Sequence, residues 1–336
     1  MKIQLFNNLN DIPGIEKFIH RFPVFATQEY ANYLKEIQNC DVFWFCGFVW
    51  ENITFILPFA VRTKYFFKRG EFLTSSIYLN EPIDFETERE FLNSITLFIK
   101  EKKVCDWIQQ PPNWAIFNSY PKNSVFAAFG TYKINLQTKN LDELFNIIDT
   151  KDRSDIRKAI KEEVEIKQGF QFLSDALMLI SATAKIAGIS SPSQQELTYL
   201  RDQINVFISY FRGVPQTASI FYTNKYAWFN MYAGSKDKPF RGSNSLLYWT
   251  AIKEAKENGV LFFDFVGARI NPVPGSKQEK IQRFKEHFGG ELIKGYLWKM
   301  PVSKFRYNLY NSLIKTVSVV TGKKFKADII DQERNR

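Results

Sequence analysis

The sequence predicts an α/β protein in which two units of similar topology follow one another. The chain has 336 residues, 45% of them hydrophobic and 16% aromatic, so it is long enough for two domains that each bury a core. One order of patterns, a β-hairpin, a helix and a further strand, occurs twice. The closing strands contain Asp106 and Asp264, which lie about half a chain length apart. These observations favour a tandem of units with mixed sheets.

The two halves share their order of elements. The predicted segments are 42–59, 89–102 and 104–108 in the first half, and 206–222, 244–257 and 260–266 in the second. Both hairpins are rich in aromatic and β-branched residues, which favour strands. Apolar residues at helical spacing support both helices: Phe91, Ile95 and Phe98 in the first, and Leu247, Ala251 and Ala255 in the second.

Residues 153–164 predict an amphipathic helix between the two halves. Ile156, Ile160 and Val164 form an apolar stripe with an interval of four residues. A basic stripe has the same interval and contains Arg153, Arg157 and Lys161, with Lys158 beside it. Two interpretations stay open. The basic residues form a solvated helix face, or they bind an anion that relieves the repulsion between like charges.

The charge and the rare residue types limit the function. The net charge of +10 and the pI near 9.3 favour anionic partners such as tRNA, nucleotide-sugar pyrophosphates or membrane surfaces. His20 and His287 are the two histidines, which excludes a His-rich metal site, and we expect no metal. The sequence contains neither a P-loop motif nor a GxGxxG motif, which excludes the two commonest phosphate-binding loops.

Cysteine usage and hydropathy indicate the compartment. Cys40, Cys46 and Cys105 are odd in number and lack CxxC spacing, which is typical of buried free thiols in a reducing compartment. The N-terminus has no signal-peptide pattern, and the longest aromatic run, 42–50, is about half a membrane span. We therefore expect a cytoplasmic protein.

The C-terminal segment from Lys299 onward is strongly basic. It carries nine Lys/Arg and three Asp/Glu, and within it Phe305, Leu309, Leu313 and Val317 recur every four residues. Three interpretations stay open. The stripe packs on its domain, the helix lies on an anionic membrane, or the helix holds tRNA.

The residues that could take part in binding or catalysis are concentrated in the second half of the chain. Ser243 and Asn244 open a helix, where they either cap it or bind an anion with the backbone N–H groups. Asp264 lies on a strand that is expected to be buried, so its carboxylate needs a partner. It either takes part in acid/base chemistry or forms a structural salt bridge, for instance to Arg269 or Arg283.

Three runs of residues carry a resemblance to a known family. They are Asp264-Phe265-Val266-Gly267, the run 283–292 with the sequence RFKEHFGGEL, and the run 153–161 with the sequence RSDIRKAIK. Together they resemble the FemXAB-like acyltransferases, a branch of the GNAT superfamily. The resemblance implies two tandem GNAT-like domains, 1–137 and 138–336, the second of which includes the basic C-terminal helix.

The resemblance also implies an activity. Members that build peptide bridges move an aminoacyl group from charged tRNA to an amine on a lipid- or nucleotide-linked muropeptide, and others look like acetyl-CoA-dependent enzymes of surface sugars. We therefore expect acyl transfer to an amine of a cell-envelope precursor without a covalent enzyme intermediate. The donor would be aminoacyl-tRNA or acyl-CoA, with no tightly bound cofactor and with peripheral contact at the inner membrane surface. The alternatives are an acetyl-CoA-dependent N-acetyltransferase of a sugar or small amine, and a catalytically inactive GNAT-like binding module.

Roles follow for individual residues. Asp264 and Tyr232 would line the reacting centre. The residues expected to bind substrate are Lys35, Arg153, Arg157, Lys158, Lys161, Ser243, Asn244, Arg269, Arg283 and Lys285. Residues 241–245 match the GNAT pyrophosphate loop only loosely, so the sequence does not decide between CoA and tRNA as donor.

Overall fold

The chain forms two compact units. The computed structural model describes residues 1–49, 52–79, 84–321 and 327–335, with 318–321 described by backbone only. Residues 50–51 of the first predicted hairpin lie outside this part. The first unit contains Met1–Gly130 and Lys294–Arg336, and the second contains Thr131–Ile293. This division differs from the expected boundary at 137/138, because the C-terminal segment belongs to the first unit.

The elements up to the start of the second unit are β1 (Lys2–Phe6), α1 (Gln28–Glu36), β2 (Cys40–Val49), β3 (Asn52–Lys64), β4 (Phe67–Phe72), β5 (Ile77–Tyr78), α2 (Phe85–Lys102), β6 (Trp107–Ile108) and β7 (Val125–Asn135). Those that follow are α3 (Leu141–Asn146), α4 (Thr150–Lys161), β8 (Glu165–Gln168), α5 (Leu173–Ala187), α6 (Gln194–Tyr199), β9 (Ile204–Phe211), β10 (Val214–Thr223), β11 (Ala227–Ser235), α7 (Ser243–Glu257), β12 (Phe262–Asp264), β13 (Ala268–Arg269) and α8 (Lys277–His287). The chain then continues through β14 (Glu291–Pro301), α9 (Lys304–Thr321) and α10 (Ile329–Arg334). Short 3-10 helices occupy Leu9–Asp11, Ile15–Lys17, Ile19–Arg21, Val24–Ala26, Phe170–Phe172 and Arg201–Gln203.

The predicted repeat is confirmed by the strand topology. In the first unit β2, β3 and β4 form an antiparallel meander, α2 crosses over, and β6 pairs parallel with β4. In the second unit β9, β10 and β11 form the corresponding meander, α7 crosses over, and β12 pairs parallel with β11. The mixed sheets follow from this, since a hairpin gives antiparallel pairing and a helical crossover gives parallel pairing.

Each sheet is closed by a strand from outside its own repeat. In the first unit β14 pairs antiparallel with β6, at Met300↔Ile108 and Pro301↔Trp107. In the second, β7 pairs antiparallel with β12, from Asn135↔Phe262 to Lys133↔Asp264. The indole of Trp298 on β14 is fully buried, 5.2 Å from the ring of Phe72. The C-terminal segment thus supplies both a strand and core to the first unit.

The helices bury most of the faces that periodicity predicted. Phe91, Ile95 and Leu247 are fully buried, and the three cysteines are buried and unpaired as expected. One prediction was wrong. Ile160 on α4 is 58% exposed, because α4 turns Ile156 and Ala159 toward the core instead.

By length and composition alone, one described segment could span a membrane. It covers Phe170–Ala187, with a mean hydropathy of 1.2 and 28% of the segment buried. Its helix, α5, packs on β10 and β11 through residues that include Leu179 and Ile180. The apolar composition therefore serves packing on the second sheet at least in part.

Candidate functional site

The second unit contains a cleft where two parallel strands diverge. β11 and β12 pair only from Ala227↔Phe262 to Phe229↔Asp264, after which β12 ends and β11 continues to Ser235. A β-bulge at Met231 adds to the divergence, since Phe221 pairs with Asn230 but Ile220 pairs with Tyr232. The gap opens into a cleft of about 620 Å³, a volume that suits a small-molecule site.

The cleft is cationic. Its lining residues come from α5, β10, β11, α7, α8 and the loops between them: Thr183, Thr217, Asn230, Met231, Ala233, Gly234, Ser235, Pro239, Asn244, Tyr248, Phe265, Lys277, Lys280, Ile281, Phe284 and Lys285. Three of them are lysines and, in the described part of the chain, none is a carboxylate. Such a cleft fits an anionic ligand, because no acidic side chain in the described lining neutralises the positive potential of the lysines.

Lys285 is the most unusual group in the cleft. Its ammonium is buried and donates hydrogen bonds to the carbonyl oxygens of Val266 and Gly267, at 2.5 and 2.6 Å. Burial lowers its pKa to about 8, although the nearby Asp264 carboxylate acts in the opposite direction. Since an ammonium has three N–H donors and the described contacts use two, one N–H is available to a ligand. The prediction that Lys285 binds substrate is therefore compatible with its position.

The turn that receives Lys285 has a strained backbone. Val266 has φ +53° and Gly267 has φ +61°, and a β-branched residue in the left-handed region is rare. Two hydrogen bonds hold the backbone of Val266 in this conformation. The N–H of Val266 donates to Asp264 Oδ1 at 2.8 Å, and its carbonyl accepts from Lys285. Strained backbone fixed in this way is often found at functional sites.

Asp264 acts through this turn and does not line the cleft. Its carboxylate is fully buried, where Oδ1 accepts from Thr131 Oγ1 at 2.5 Å and Oδ2 lies 3.5 Å from Lys133 Nζ. Although burial lowers the pKa of Lys133, the Asp264 carboxylate and Tyr226 together raise that pKa above its ordinary value. These contacts hold the turn in position, and the expected role of Asp264 in acid/base chemistry stays a prediction. The expected alternative of a salt bridge is realised with Lys133 and not with Arg269 or Arg283.

Tyr248 lines the cleft, and Tyr232 is not among the described lining residues. The buried hydroxyl of Tyr248 accepts a hydrogen bond from Asn230 Nδ2 at 2.6 Å and one from Ser219 Oγ at 3.3 Å, and burial raises its pKa. The ring of Tyr232 lies 6.2 Å from the ring of Tyr222, outside the cleft lining. A β-bulge at Met231 lies next to Tyr232, and the expected role of Tyr232 at the reacting centre stays a prediction.

The start of α7 is covered by α4. Gly242 is the N-cap with φ +88°, so the expectation that Ser243 or Asn244 caps the helix was wrong. A Cβ at Gly242 would lie 2.2 Å from the carbonyl oxygen of Asp155. The Asp155 carboxylate also accepts from Arg241 Nε at 2.6 Å.

A second carboxylate on α4, that of Asp152, accepts from Ser245 Oγ at 2.9 Å. Ser243 is fully buried, whereas Asn244 reaches the cleft. Two carboxylates of α4 therefore contact side chains at and just before the N-terminal turn of α7, and their negative charge disfavours a pyrophosphate there.

The basic stripe of α4 lies outside the cleft lining. Arg153 donates to the carbonyl oxygen of Asn146 at 2.9 Å, and the guanidinium of Arg157 lies 5.5 Å from the ring centre of Phe145. Lys158 and Lys161 are exposed. A substrate-binding role for these four residues stays a prediction.

Three other expected substrate-binding residues also lie elsewhere. Lys35, in the first unit, is exposed and lies 3.5 Å from the carbonyl oxygen of Asn7. Arg283 pairs with Glu279 at 2.9 Å on the surface of α8, and Arg269 accepts a backbone hydrogen bond from Gln282. The atom of Arg269 that accepts is its backbone carbonyl oxygen, and the donor is Gln282 Nε2. Neither Arg269 nor Arg283 is among the described residues that line the cleft.

The residues that sequence reasoning missed share one signal. Lys277, Lys280, Ile281 and Phe284 line the cleft with Lys285 and follow helical spacing along one face of α8. A helix face that is both basic and apolar, next to the loop that follows a buried strand, could have indicated one side of a binding cleft. Asn230 and Tyr248 carry no such signal, because only the fold brings them together.

One group of metal-ligand residue types occurs outside the cleft. Asp149, Asp152 and His287 place their ligand atoms within 4.8 Å of one another. His287 Nδ1 lies 3.1 Å from Asp152 Oδ2, so the group already has contacts within the protein. The expectation of a metal-free site stays a prediction.

Comparisons with known proteins concern the fold and the family. A model of the FemAB family matches residues 182–315, a range that contains most of the cleft. No curated protein matches the sequence. Among solved structures, FemX is similar with a TM-score of 0.67 and 13% identity, covering 92% of this chain and 99% of that chain. A conserved protein of unknown function from Bacteroides thetaiotaomicron VPI-5482 has a TM-score of 0.52 and 10% identity, with 89% and 100% covered. The family match over residues 182–315 and the fold shared with FemX confirm the predicted resemblance.

Proposed function

We propose that this protein is an acyltransferase that moves an aminoacyl group from charged tRNA to an amine of an anionic cell-envelope precursor. The observation that carries the proposal is the buried Lys285 ammonium in a cleft with three lysines and no carboxylate among its described lining residues. Both an anionic substrate and the negative charge that develops on an acyl carbonyl would be stabilised there. The FemAB family match over the same residues supports a transferase.

The reaction needs no covalent enzyme intermediate. The acceptor amine attacks the ester carbonyl carbon, a C–N bond forms, and the carbonyl oxygen becomes an oxyanion near Lys285. The C–O bond to the tRNA ribose then breaks, and the proton lost by the amine leaves with the ribose oxygen. The described cleft lining holds no Cys, His, Asp or Glu, which supports catalysis by positioning and electrostatics over nucleophilic catalysis.

The covered helix terminus favours tRNA over CoA as the donor. An acyl-CoA would place its pyrophosphate on the N-terminal turn of α7, where GNAT-type enzymes are expected to bind it. Here Asp155 accepts a hydrogen bond from Arg241 Nε, and Asp152 accepts one from Ser245 Oγ. A pyrophosphate would have to displace them against like charge.

The test is transfer of a labelled aminoacyl group. The full chain is incubated with tRNA charged with radiolabelled amino acids and with UDP-N-acetylmuramoyl-pentapeptide or lipid-linked muropeptide. Mild alkali cleaves the tRNA ester but leaves an amide intact. Label that is bound to the acceptor and resists mild alkali is therefore in an amide. Lys285→Met should lower the rate of transfer by about 10²- to 10³-fold, whereas Lys102→Met, at an exposed position of the first unit, should not change it.

Two outcomes would contradict the proposal. Transfer from labelled acetyl-CoA without transfer from tRNA would establish the N-acetyltransferase alternative. Absence of turnover with both donors, together with saturable binding of the acceptor, would establish an inactive binding module.

A further inference from the structure

The first unit exposes a continuous apolar stripe along α9. Phe305, Leu309, Leu313 and Val317 follow one another at intervals of four and are 76%, 37%, 47% and 57% exposed. Among the three interpretations of the sequence, packing of this stripe on its own domain is therefore wrong. A contiguous exposed apolar stripe of this length is typical of an interaction surface.

The opposite face of α9 is fixed to the first unit. The ring of Tyr310 lies 4.6 Å from that of Trp107 and 5.2 Å from that of Phe67. Arg306 Nε contacts Asp106 Oδ1 at 2.7 Å. The helix cannot turn its stripe inward without breaking these contacts, so the stripe is a lasting feature of the surface.

A second exposed apolar element adjoins the start of α9. Tyr65 and Phe66 form the turn between β3 and β4 and are 85% and 58% exposed. The Arg306 guanidinium donates to the carbonyl oxygen of Phe66 and lies 5.6 Å from its ring centre. The turn and the stripe together form one surface, which we name the α9 face: Tyr65, Phe66, Phe305, Leu309, Leu313 and Val317.

The charged residues of α9 itself, Lys304, Arg306 and Lys315, are all basic. Between positions 304 and 326 the sequence contains Lys304, Arg306, Lys315, Lys323, Lys324 and Lys326 and no Asp or Glu. Lys304 and Lys315 are exposed on α9 beside the stripe. Aromatic and aliphatic side chains bordered by lysines match the interfacial region of an anionic bilayer.

From these features we infer that the α9 face docks the protein on the surface of an anionic lipid bilayer. The apolar side chains enter the boundary between headgroups and acyl chains, and the lysines contact lipid phosphates. A second copy of the chain fits less well, because a two-fold contact would set the basic residues of α9 against themselves. RNA fits less well also, because the four apolar side chains would lie against phosphates.

Vesicle binding by the full chain tests the inference. Co-sedimentation is measured with phosphatidylcholine vesicles that contain 30% phosphatidylglycerol and with phosphatidylcholine alone. We expect binding at least about tenfold stronger to the anionic vesicles and weakened by salt. The variant F305S/L309S/L313S should lose at least about tenfold in vesicle affinity. The matched control L97S/I160S/V273S removes three other side chains that are 52–59% exposed and should bind like the original protein.

A dye reports insertion directly and does not depend on the serine variants. Leu313→Cys labelled with an environment-sensitive fluorophore should shift to shorter wavelength with anionic vesicles, whereas labelled Leu97→Cys should not. The three native cysteines are buried, which keeps labelling selective. Three results would overturn the inference: equal binding by the stripe variant, equal binding to neutral vesicles, or a dimer or tRNA complex that depends on the stripe while vesicles are not bound.

Discussion

The ammonium of Lys285 should make transfer activity fall through pH 8. A group with a pKa of about 8 is about 90% protonated at pH 7 and about 10% protonated at pH 9. Because the proposed role needs the charged form, present below the pKa and lost as pH rises through it, kcat/KM should fall about tenfold between these pH values. Removing the ammonium in Lys285→Met should lower kcat by about 10²- to 10³-fold, the usual effect of losing one oxyanion donor.

The acceptor amine also titrates, so the assay has to separate the two groups. Lys285→Arg keeps a positive charge at every pH of the assay. The ratio of kcat/KM for the original protein to that for Lys285→Arg cancels the titration of the substrate, and this ratio should fall about tenfold from pH 7 to pH 9. The ¹³Cε chemical shift of Lys285 gives its pKa without any substrate.

A ratio that rises through pH 8 would refute the reasoning. It would mean that neutral Lys285 takes a proton from the acceptor and acts as a general base. A ratio that stays level, with a measured pKa near 8, would place Lys285 outside the reacting centre.

Other variants test the groups around the cleft. Asp264→Asn should leave Lys133 without its buried partner and lower the free energy of unfolding by about 2–3 kcal/mol in urea titration; an unchanged midpoint would contradict the positioning role. Gly242→Ala should cost about 2–5 kcal/mol, since it combines a positive φ with a contact at 2.2 Å. The control Gly259→Ala, at a position with φ +70° and open space, should lower the free energy of unfolding by about 1–2 kcal/mol. Equal losses for the two variants would show that α4 is not closely packed against the start of α7. Tyr248→Phe should lower stability by about 1–2 kcal/mol in the same titration and reduce transfer; full activity would exclude the hydroxyl from substrate contact.

Local patterns were sufficient for the tandem arrangement. Hairpins and crossover helices leave periodic signals within about 20 residues, and α7 buries Leu247, Ala251 and Ala255 as predicted. Ile160 was misplaced because Ile156 and Ala159 also define a helix face, one residue further round. Periodicity cannot decide between overlapping faces when the sequence offers apolar residues on both.

The candidate site depended more on long-range structure. The buried position of the Lys285 ammonium depends on two backbone carbonyls from a strained turn, which no spacing rule indicates. The β-bulge at Met231, next to Tyr232, has no signature in the sequence. Likewise, nothing local shows that β14 pairs with β6, almost 200 residues earlier in the chain. Tertiary pairing decided each of these features.

The closing strand of the first sheet has a consequence for synthesis on the ribosome. Met1–Gly130 cannot complete its sheet until β14 has emerged, about 170 residues later, a delay of about 10–30 s at ordinary rates of elongation. During this time β6 presents an unpaired edge, and the space that the indole of Trp298 fills is open. The second unit has no such wait, because β7 precedes the strand with which it pairs. A chain that ends before β14 would therefore keep its cleft yet aggregate through its first unit.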